Sequence, residues 1–284
     1  MRLIRYRVRP DVAQILSQRE DNVDRIRWGS VEPGGYGSQL SRLKVTEFES
    51  DPFLVSGLAP QPTGQKWDLG QVELLAPIVP SKVVAIGKNY VDHAAEMDSD
   101  VPSSPLMFLK PPSSVIGPGD EIVLPNVSER VDYEGELTVV IGKRCRNVAA
   151  ADAGSVIAGY TCANDVTARD LQKSDGQWSR AKGFDTFCPI GPWVETGLEL
   201  TGEHPEEVGV STEVNDEIKQ AGVTTQMVFS VAELVAYASS VMTLEPGDVI
   251  LTGTPAGIGP LSDGDSVTVR IEGIGALTNP VTVE

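Results

Sequence analysis

Cysteine and histidine are scarce in this chain of 284 residues: Cys145, Cys162 and Cys188 are the three cysteines, His93 and His204 the two histidines. An odd set of cysteines without C-x-x-C spacing supports neither a disulfide framework nor a zinc knuckle. Long apolar runs are missing too. Nothing approaches the roughly 18 consecutive apolar residues of a membrane span. The opening MRLIRYRVRP alternates basic and apolar groups where a signal peptide needs an apolar stretch. The expectation is a reduced, cytoplasmic, soluble protein. Basic residues are also in deficit, 23 against 40 acidic, for a formal charge of −17, which speaks against nucleic acid and anionic membranes as partners. The imbalance is local: residues 186–284 hold 2 basic and 15 acidic side chains, whereas residues 1–80 hold 10 of each. A solvated acidic face that aids solubility accounts for it.

Apolar residues at 40% and charged residues at 22% suffice for a sizeable core and exclude disorder. At roughly 150 residues per domain the length suggests about two domains. The Gly- and Pro-rich segment 57–66, GLAPQPTGQK, reads as a linker or long turn. The expected organisation is a small N-terminal accessory domain over 1–74 and a main domain over 75–284. From Val83 onward, apolar runs such as KVVAIG, ELTVVIG and GDVILTG alternate with turn signals, which predicts an α+β, β-rich domain with few helices. Helices are predicted over 90–97, 167–174 and 230–242. In the second, Thr167 and Asp170 have capping-box spacing. In the third, a Ser230 cap precedes Val231, Leu234, Val235 and Ala238 on one face.

Chemistry concentrates in segment 131–141, VDYEGELTVVI. Strand alternation puts Val131, Tyr133, Leu137, Val139 and Ile141 on one face and Asp132, Glu134 and Glu136 on the other. Carboxylates two positions apart on a strand lie about 7 Å apart and repel by roughly 2 kcal/mol at an effective dielectric near 20. Two arrangements would offset that repulsion. One is a divalent cation, which the lack of nearby Cys or His restricts to a hard ion such as Mg²⁺ or Mn²⁺. The other is an exposed strand face paired with Lys and Arg. Asp165, between an apolar run and Thr167, is either a third ligand or an Asx turn. His93 and Glu96 stand at i, i+3, where the carboxylate can orient the imidazole as a general base, or where the two form a solvated surface pair. Lys182, in the tight RAKGFDTFCPIGP segment, suits a substrate clamp. Cys188, with Pro after it and no base in view, reads as a structural thiol, and His204 as exposed.

Six motifs occur in order: Lys88-Asn89-Tyr90 with His93 and Glu96, Met107-Phe108-Leu109-Lys110-Pro111, Tyr133-Glu134-Gly135-Glu136-Leu137, Asn164 to Asp170, Lys182-Gly183-Phe184-Asp185, and Thr252-Gly253-Thr254-Pro255. Together they resemble the fumarylacetoacetate hydrolase family over residues 75–284. The resemblance implies a mixed β-roll catalytic domain, a homodimer, and Mg²⁺ or Mn²⁺ held by Glu134, Glu136 and Asp165. Asp132 shares their face but matches no family ligand. His93 and Glu96 resemble the water-activating dyad, carried on a lid; Lys182 resembles the lysine facing the substrate, and Thr254 the residue meeting its carboxylate. Arg169 and Gln172 fall where the family lines the same pocket. One departure is Asn215-Asp216-Glu217, where relatives commonly carry Asn-Gly; an Asp is tolerable there in a left-handed turn.

Residue chemistry and resemblance lead to one scheme, in which a 2-oxo acid binds the metal, and the ion and Lys182 stabilise an enolate as a bond at C3 changes. Three carboxylates, a divalent ion, Lys182 and Arg169 leave the site locally positive despite the acidic chain. The favoured function is an isomerase or decarboxylase of the 2-hydroxyhepta-2,4-diene-1,7-dioate type in aromatic catabolism. Alternatives are an acylpyruvate hydrolase or oxaloacetate decarboxylase, a dehydratase of sugar-derived 2-keto-3-deoxy acids, a cysteine hydrolase based on Cys188, and a catalytically silent metal-binding protein.

Overall fold

The protein is described by a computed structural model over residues 1–12, 25–32, 40–55, 60–97 and 99–284. Elements are numbered in chain order. The N-terminal strands are β1 (Arg2–Val8), β2 (Arg27–Val31), β3 (Lys44–Phe48), β4 (Pro62–Asp68) and β5 (Val72–Leu75). They form an antiparallel array in which β1 lies between β2 and β5, and β4 is the outer edge. The start of β1 also pairs with β14 (Cys188–Glu195), so this array is continuous with the main sheet. Beyond β14 the order runs β12 (Ile157–Asn164), β11 (Gly135–Ile141), β17 (Val249–Leu251), β6 (Val83–Gly87) and β7 (Leu106–Lys110). Most pairs are antiparallel, but β17 and β6 run parallel, as does the short β8 (Val115–Ile116) against β14.

Two smaller sheets complete the mixed β-roll. One has β10 (Val131–Tyr133) between β13 (Thr167–Ala168) and β18 (Gly259–Pro260). The other runs β16 (Glu217–Val223), β15 (Gly209–Val214), β19 (Ser266–Ile271), β20 (Gly275–Val283) and β9 (Ile122–Leu124). The β15–β16 turn holds Asn215 at φ 52° and Asp216 at φ 64°, the left-handed geometry of a two-residue hairpin, so Asp serves there.

Helices are few, as expected: α1 (Val91–Glu96), α2 (Arg169–Asp175), α3 (Ser179–Lys182) and α4 (Val231–Val241). Among the described residues none is long and apolar enough to cross a membrane. In α4 the Ser230 hydroxyl accepts from the Glu233 N–H while the Glu233 carboxylate accepts from the Ser230 N–H, and Val231, Leu234, Val235 and Ala238 are buried. That face packs on Leu137, Val139 and Ile250. The opposite face of the central strands packs Val83, Ala85, Val140 and Leu251 against Ile190. At about 1.5–3 kcal/mol per fully buried aliphatic side chain, the two-sided core gives the site a rigid floor.

Three local expectations are corrected. Thr167 and Asp170 form no capping box, because Thr167 is taken up in β13 and donates to the Asp165 carbonyl, while Asp170 accepts from Ser128 and the Glu129 N–H. The predicted linker ends early: residues 62–66 belong to β4, whose polar residues suit an edge strand, and residues 57–59 lie outside the described residues. Segment 131–141 is not one strand. It breaks at Glu134 into β10 and β11 in different sheets, and both faces are buried.

Candidate active site

Because β11 runs antiparallel to β12 and β17, and β6 parallel to β17, the start of β11 and the ends of the other three meet at one edge of the main sheet. Glu134 and Glu136 lie at the start of β11, and Asp165 follows β12. All three are buried, and one ligand oxygen from each lies within 4.8 Å of the others. The exposed-face arrangement is therefore overturned: these carboxylates share a buried cluster. The dyad is buried on its imidazole side only, with Glu96 exposed. His93 on α1 is only 5% exposed, and its Nδ1 lies 3.2 Å from Glu96, which also accepts from the Gly257 N–H at 3.1 Å.

The cluster is unevenly neutralised. Arg169 donates through Nε to Asp132 at 2.9 Å, through Nη2 to Glu134, and through Nη1 to Gln172 at 2.7 Å. Asp132 is also held by Arg130, which explains why it stands apart from the other three carboxylates. Lys182 spans Glu134 at 2.8 Å and Asp165 at 2.5 Å, and Lys110, 1% exposed, donates to the other oxygen of Asp165 at 2.5 Å. Lys110 escaped the sequence reading as a site residue; an ammonium closing the apolar run of MFLKP was the available signal. Glu136 accepts the Gly253 N–H at 2.6 Å and has no salt-bridge partner among the described residues.

The consequences run in opposite directions along the same chain segment. Burial alone would raise the pKa of Glu134, but Lys182 and Arg169 outweigh it and hold the carboxyl well below the usual range. For Glu136, burial and the charges of Asp165 and Glu134 push the pKa well up. Burial disfavours the Lys182 ammonium, yet Asp165 and Glu134 more than compensate, so it stays charged. Cys188, buried beside the cluster, has its thiol pushed up to about 12 by burial, with Asp165 and Glu136 adding to the effect, which is wrong for a nucleophile.

A cavity of about 180 Å³ opens over this edge, and His93, Glu134, Glu136, Arg169, Gln172, Lys182 and Thr254 all line it. Asp165 and Glu96 do not line it but are bonded to Lys182 and His93, which do. Two of these side chains are already engaged. Thr254 gives its single hydroxyl proton to the Gly135 carbonyl at 2.8 Å, and Arg169 gives three of its five N–H groups to Asp132, Glu134 and Gln172. Gln172 accepts from Arg169 through its carbonyl oxygen, which leaves its amide N–H groups for a ligand in the cavity. Trp178 closes one wall, edge-on to Phe108 at 5.2 Å, and its ring packs against Gly87, where a Cβ would approach to 2.6 Å.

The donor set fits a hard divalent ion. It offers oxygen only, the ligand atoms converge, and Glu136 is a buried carboxylate with no salt-bridge partner among the described residues. Glu134, Glu136 and Asp165 would hold such an ion.

Comparison with known proteins agrees with this geometry. A model of the fumarylacetoacetate (FAA) hydrolase C-terminal domain matches residues 82–282, and one described as Rv2993c-like, N-terminal, matches residues 19–77. The solved 5-carboxymethyl-2-hydroxymuconate delta-isomerase from Mycobacterium smegmatis is 45% identical, covering all of both chains with a TM-score of 0.84. The 2-hydroxyhepta-2,4-diene-1,7-dioate isomerase from Mycobacterium marinum is 44% identical, covering 100% of this chain and 99% of that one, also with a TM-score of 0.84. The mitochondrial oxaloacetate tautomerase FAHD2A of Homo sapiens is 46% identical over 74% of this chain and 70% of its own length. With the catalytic-domain match spanning the whole buried cluster and the cavity above it, this chain belongs to the fumarylacetoacetate hydrolase family.

Proposed function

We propose that this family member is a Mg²⁺- or Mn²⁺-dependent isomerase or decarboxylase of the 2-hydroxyhepta-2,4-diene-1,7-dioate type in aromatic catabolism, acting on a 2-oxo or 2-hydroxydienoic acid through its enolate. The observation that carries this reading is His93, bonded to Glu96, facing the same small cavity as Glu134, Glu136 and Lys182. When bound, the ion would act as a Lewis acid towards the 2-oxo group. Lys182 supplies a fixed positive charge beside that group, and the amide of Gln172 donates to the carboxylate of the acid. Thr254 can reach the same carboxylate only by turning its proton away from Gly135. His93, oriented through Nδ1 by Glu96, keeps Nε2 for taking a proton from C3 and returning it elsewhere. Trp178 and Met97 in the cavity wall limit water around the enolate.

Proton transfer is favoured over hydrolysis by the relatives, two of which are isomerases and one a tautomerase. The second reading is accordingly action on oxaloacetate or an acylpyruvate at the same site. A catalytically silent metal-binding protein would have no use for a buried, oriented imidazole. The chain is proposed to work as a homodimer. Sedimentation measures the mass.

The test is proton NMR of the purified protein with oxaloacetate, acetylpyruvate and a 2-hydroxydienedioate, first with Mg²⁺ and then with EDTA. Chelator-sensitive conversion of the dienedioate is expected. Conversion of oxaloacetate or acetylpyruvate alone would move the assignment to the second reading, and no conversion of any would remove the enzyme assignment for this substrate class.

A further inference from the structure

In residues 81–284 most basic side chains have acidic partners, as the excess of carboxylates leads one to expect. Lys88, Lys143, Arg146 and Lys173 make no salt bridge among the described residues, and Arg146 is occupied by the carbonyls of Ser239 and Ser240. Of the remaining three, Lys88 and Lys173 line the same cavity as His93, Glu134 and Glu136. Neither is bonded to the triad, whose neutralisation falls to Lys182, Arg169 and Lys110.

Lys88 is held there at a conformational cost. Its φ of 57° is left-handed, a region that side chains larger than glycine, asparagine and aspartate rarely enter. Both neighbours enforce it. Gly87 is pressed against Trp178, and Asn89 is buried in a web of bonds to Phe229 and Thr252. Lys88 is half-buried, and its ammonium has no hydrogen-bond partner among the described residues. Lys173 on α2 is exposed and lines the cavity as well, supplying the second cation.

We propose, on the footing of the 2-oxo acid chemistry above, that Lys88 and Lys173 form a second anion clamp that receives a distal carboxylate of the substrate and so selects dioates over monoacids. Glu134, Glu136 and Asp165 with their ion serve the 2-oxo end, and the two lysines serve the far end. Each carboxylate of a dianion would thereby meet positive charge in an otherwise acidic protein.

The test is calorimetric titration of the full chain, in the presence of Mg²⁺, with 2-oxoheptanedioate and with 2-oxoheptanoate, which differ only in the distal carboxylate. The native protein is expected to bind the dioate about tenfold more tightly, a preference that shrinks with added KCl. Lys88→Met and Lys173→Met are each expected to weaken dioate binding about three- to tenfold and to leave the monoacid within twofold. Equal binding of the two acids by the native protein, or equal weakening of both by the lysine variants, overturns the clamp and leaves the proposed function standing. Failure of both acids to bind overturns the function and the clamp together. Thermal melts of both variants that match the native protein exclude misfolding as the source of any loss.

Discussion

Glu134 and Glu136 are two residues apart, both buried, and oppositely surrounded. On the Glu134 side the cluster is crowded with cations: Lys182 and Arg169 on Glu134 itself, Arg130 and Arg169 on Asp132, Lys110 and Lys182 on Asp165. On the Glu136 side there is one backbone N–H, from Gly253. The contrast separates two jobs that one acidic motif conceals. The first half is complete by itself and fixes geometry. The second is a buried carboxyl with no cationic partner, which a bound cation would stabilise as a carboxylate, so an affinity for an ion and a cost to the ion-free fold would have the same origin.

Substituting each glutamate breaks or sustains this contrast, and the largest effect is on turnover. Glu136→Gln is expected to abolish Mg²⁺-dependent turnover, by about 10³-fold or more, because a ligand and its charge are lost. The same change is expected to stabilise the ion-free protein by about 1–3 kcal/mol, since the neutral amide removes an unpaired buried carboxylate. Glu134→Gln is expected to cost turnover too, but to destabilise the ion-free protein by about 1–3 kcal/mol, because it strips a partner from both Lys182 and Arg169. Thermal melts in EDTA read both. A shift of the same sign in the two variants would dissolve the distinction between the halves.

Arg169 tests the completed half directly. Arg169→Met removes the donor shared by Asp132, Glu134 and Gln172 and leaves two buried carboxylates short of a partner. The expected cost is about 3–5 kcal/mol of stability, measured by urea unfolding at pH 7. A loss under about 1 kcal/mol would mean that Arg130 and Lys182 alone suffice, and that the two halves differ less than their bonding suggests.

Much of this could be read in the chain, and the remainder failed for identifiable reasons. α4 was legible because its Ser230 cap, Glu233 and the Val231–Ala238 face are all local signals. Period-two spacing sets Glu134 beside Glu136, and i, i+3 spacing sets His93 beside Glu96, before any tertiary contact forms, whereas Asp165 as their companion and the roles of all five came only with the family resemblance. The break at Glu134 was not, since leaving one sheet for another is decided by what β10 and β11 pair with, far along the chain. Lys110 reaches Asp165 across 55 positions, and β1 meets β14 across about 190, contacts that only the assembled sheet creates. The bonds that Arg169 and Thr254 make within the protein were hidden for a related reason: a residue type advertises its donors, but not which of them the fold has already used.

Cys188 sharpens the comparison at the smallest scale, because its thiol lies beside the cluster and responds to it. Burial, Asp165 and Glu136 raise its pKa, while Lys110 and Lys182 oppose them, and the result is a pKa of about 12. A raised pKa means less thiolate at any given pH. At pH 8 only about one thiol in ten thousand is ionised, and each unit of pH upward raises that fraction about tenfold. In the native protein at pH 8 a thiol reagent is therefore expected to label partly exposed Cys145 first, to leave buried Cys162 and Cys188 intact, and to leave turnover unchanged. Mass spectrometry of the labelled chain counts the sites. In Glu136→Gln, where one of the charges opposing the thiolate is gone, labelling of Cys188 at pH 9 is expected to rise severalfold, provided that the fold stays closed as the thermal melt requires. Loss of turnover in step with labelling of Cys188 in the native protein would make the thiol a participant in the reaction, and the acidic cluster would no longer be the centre of the chemistry.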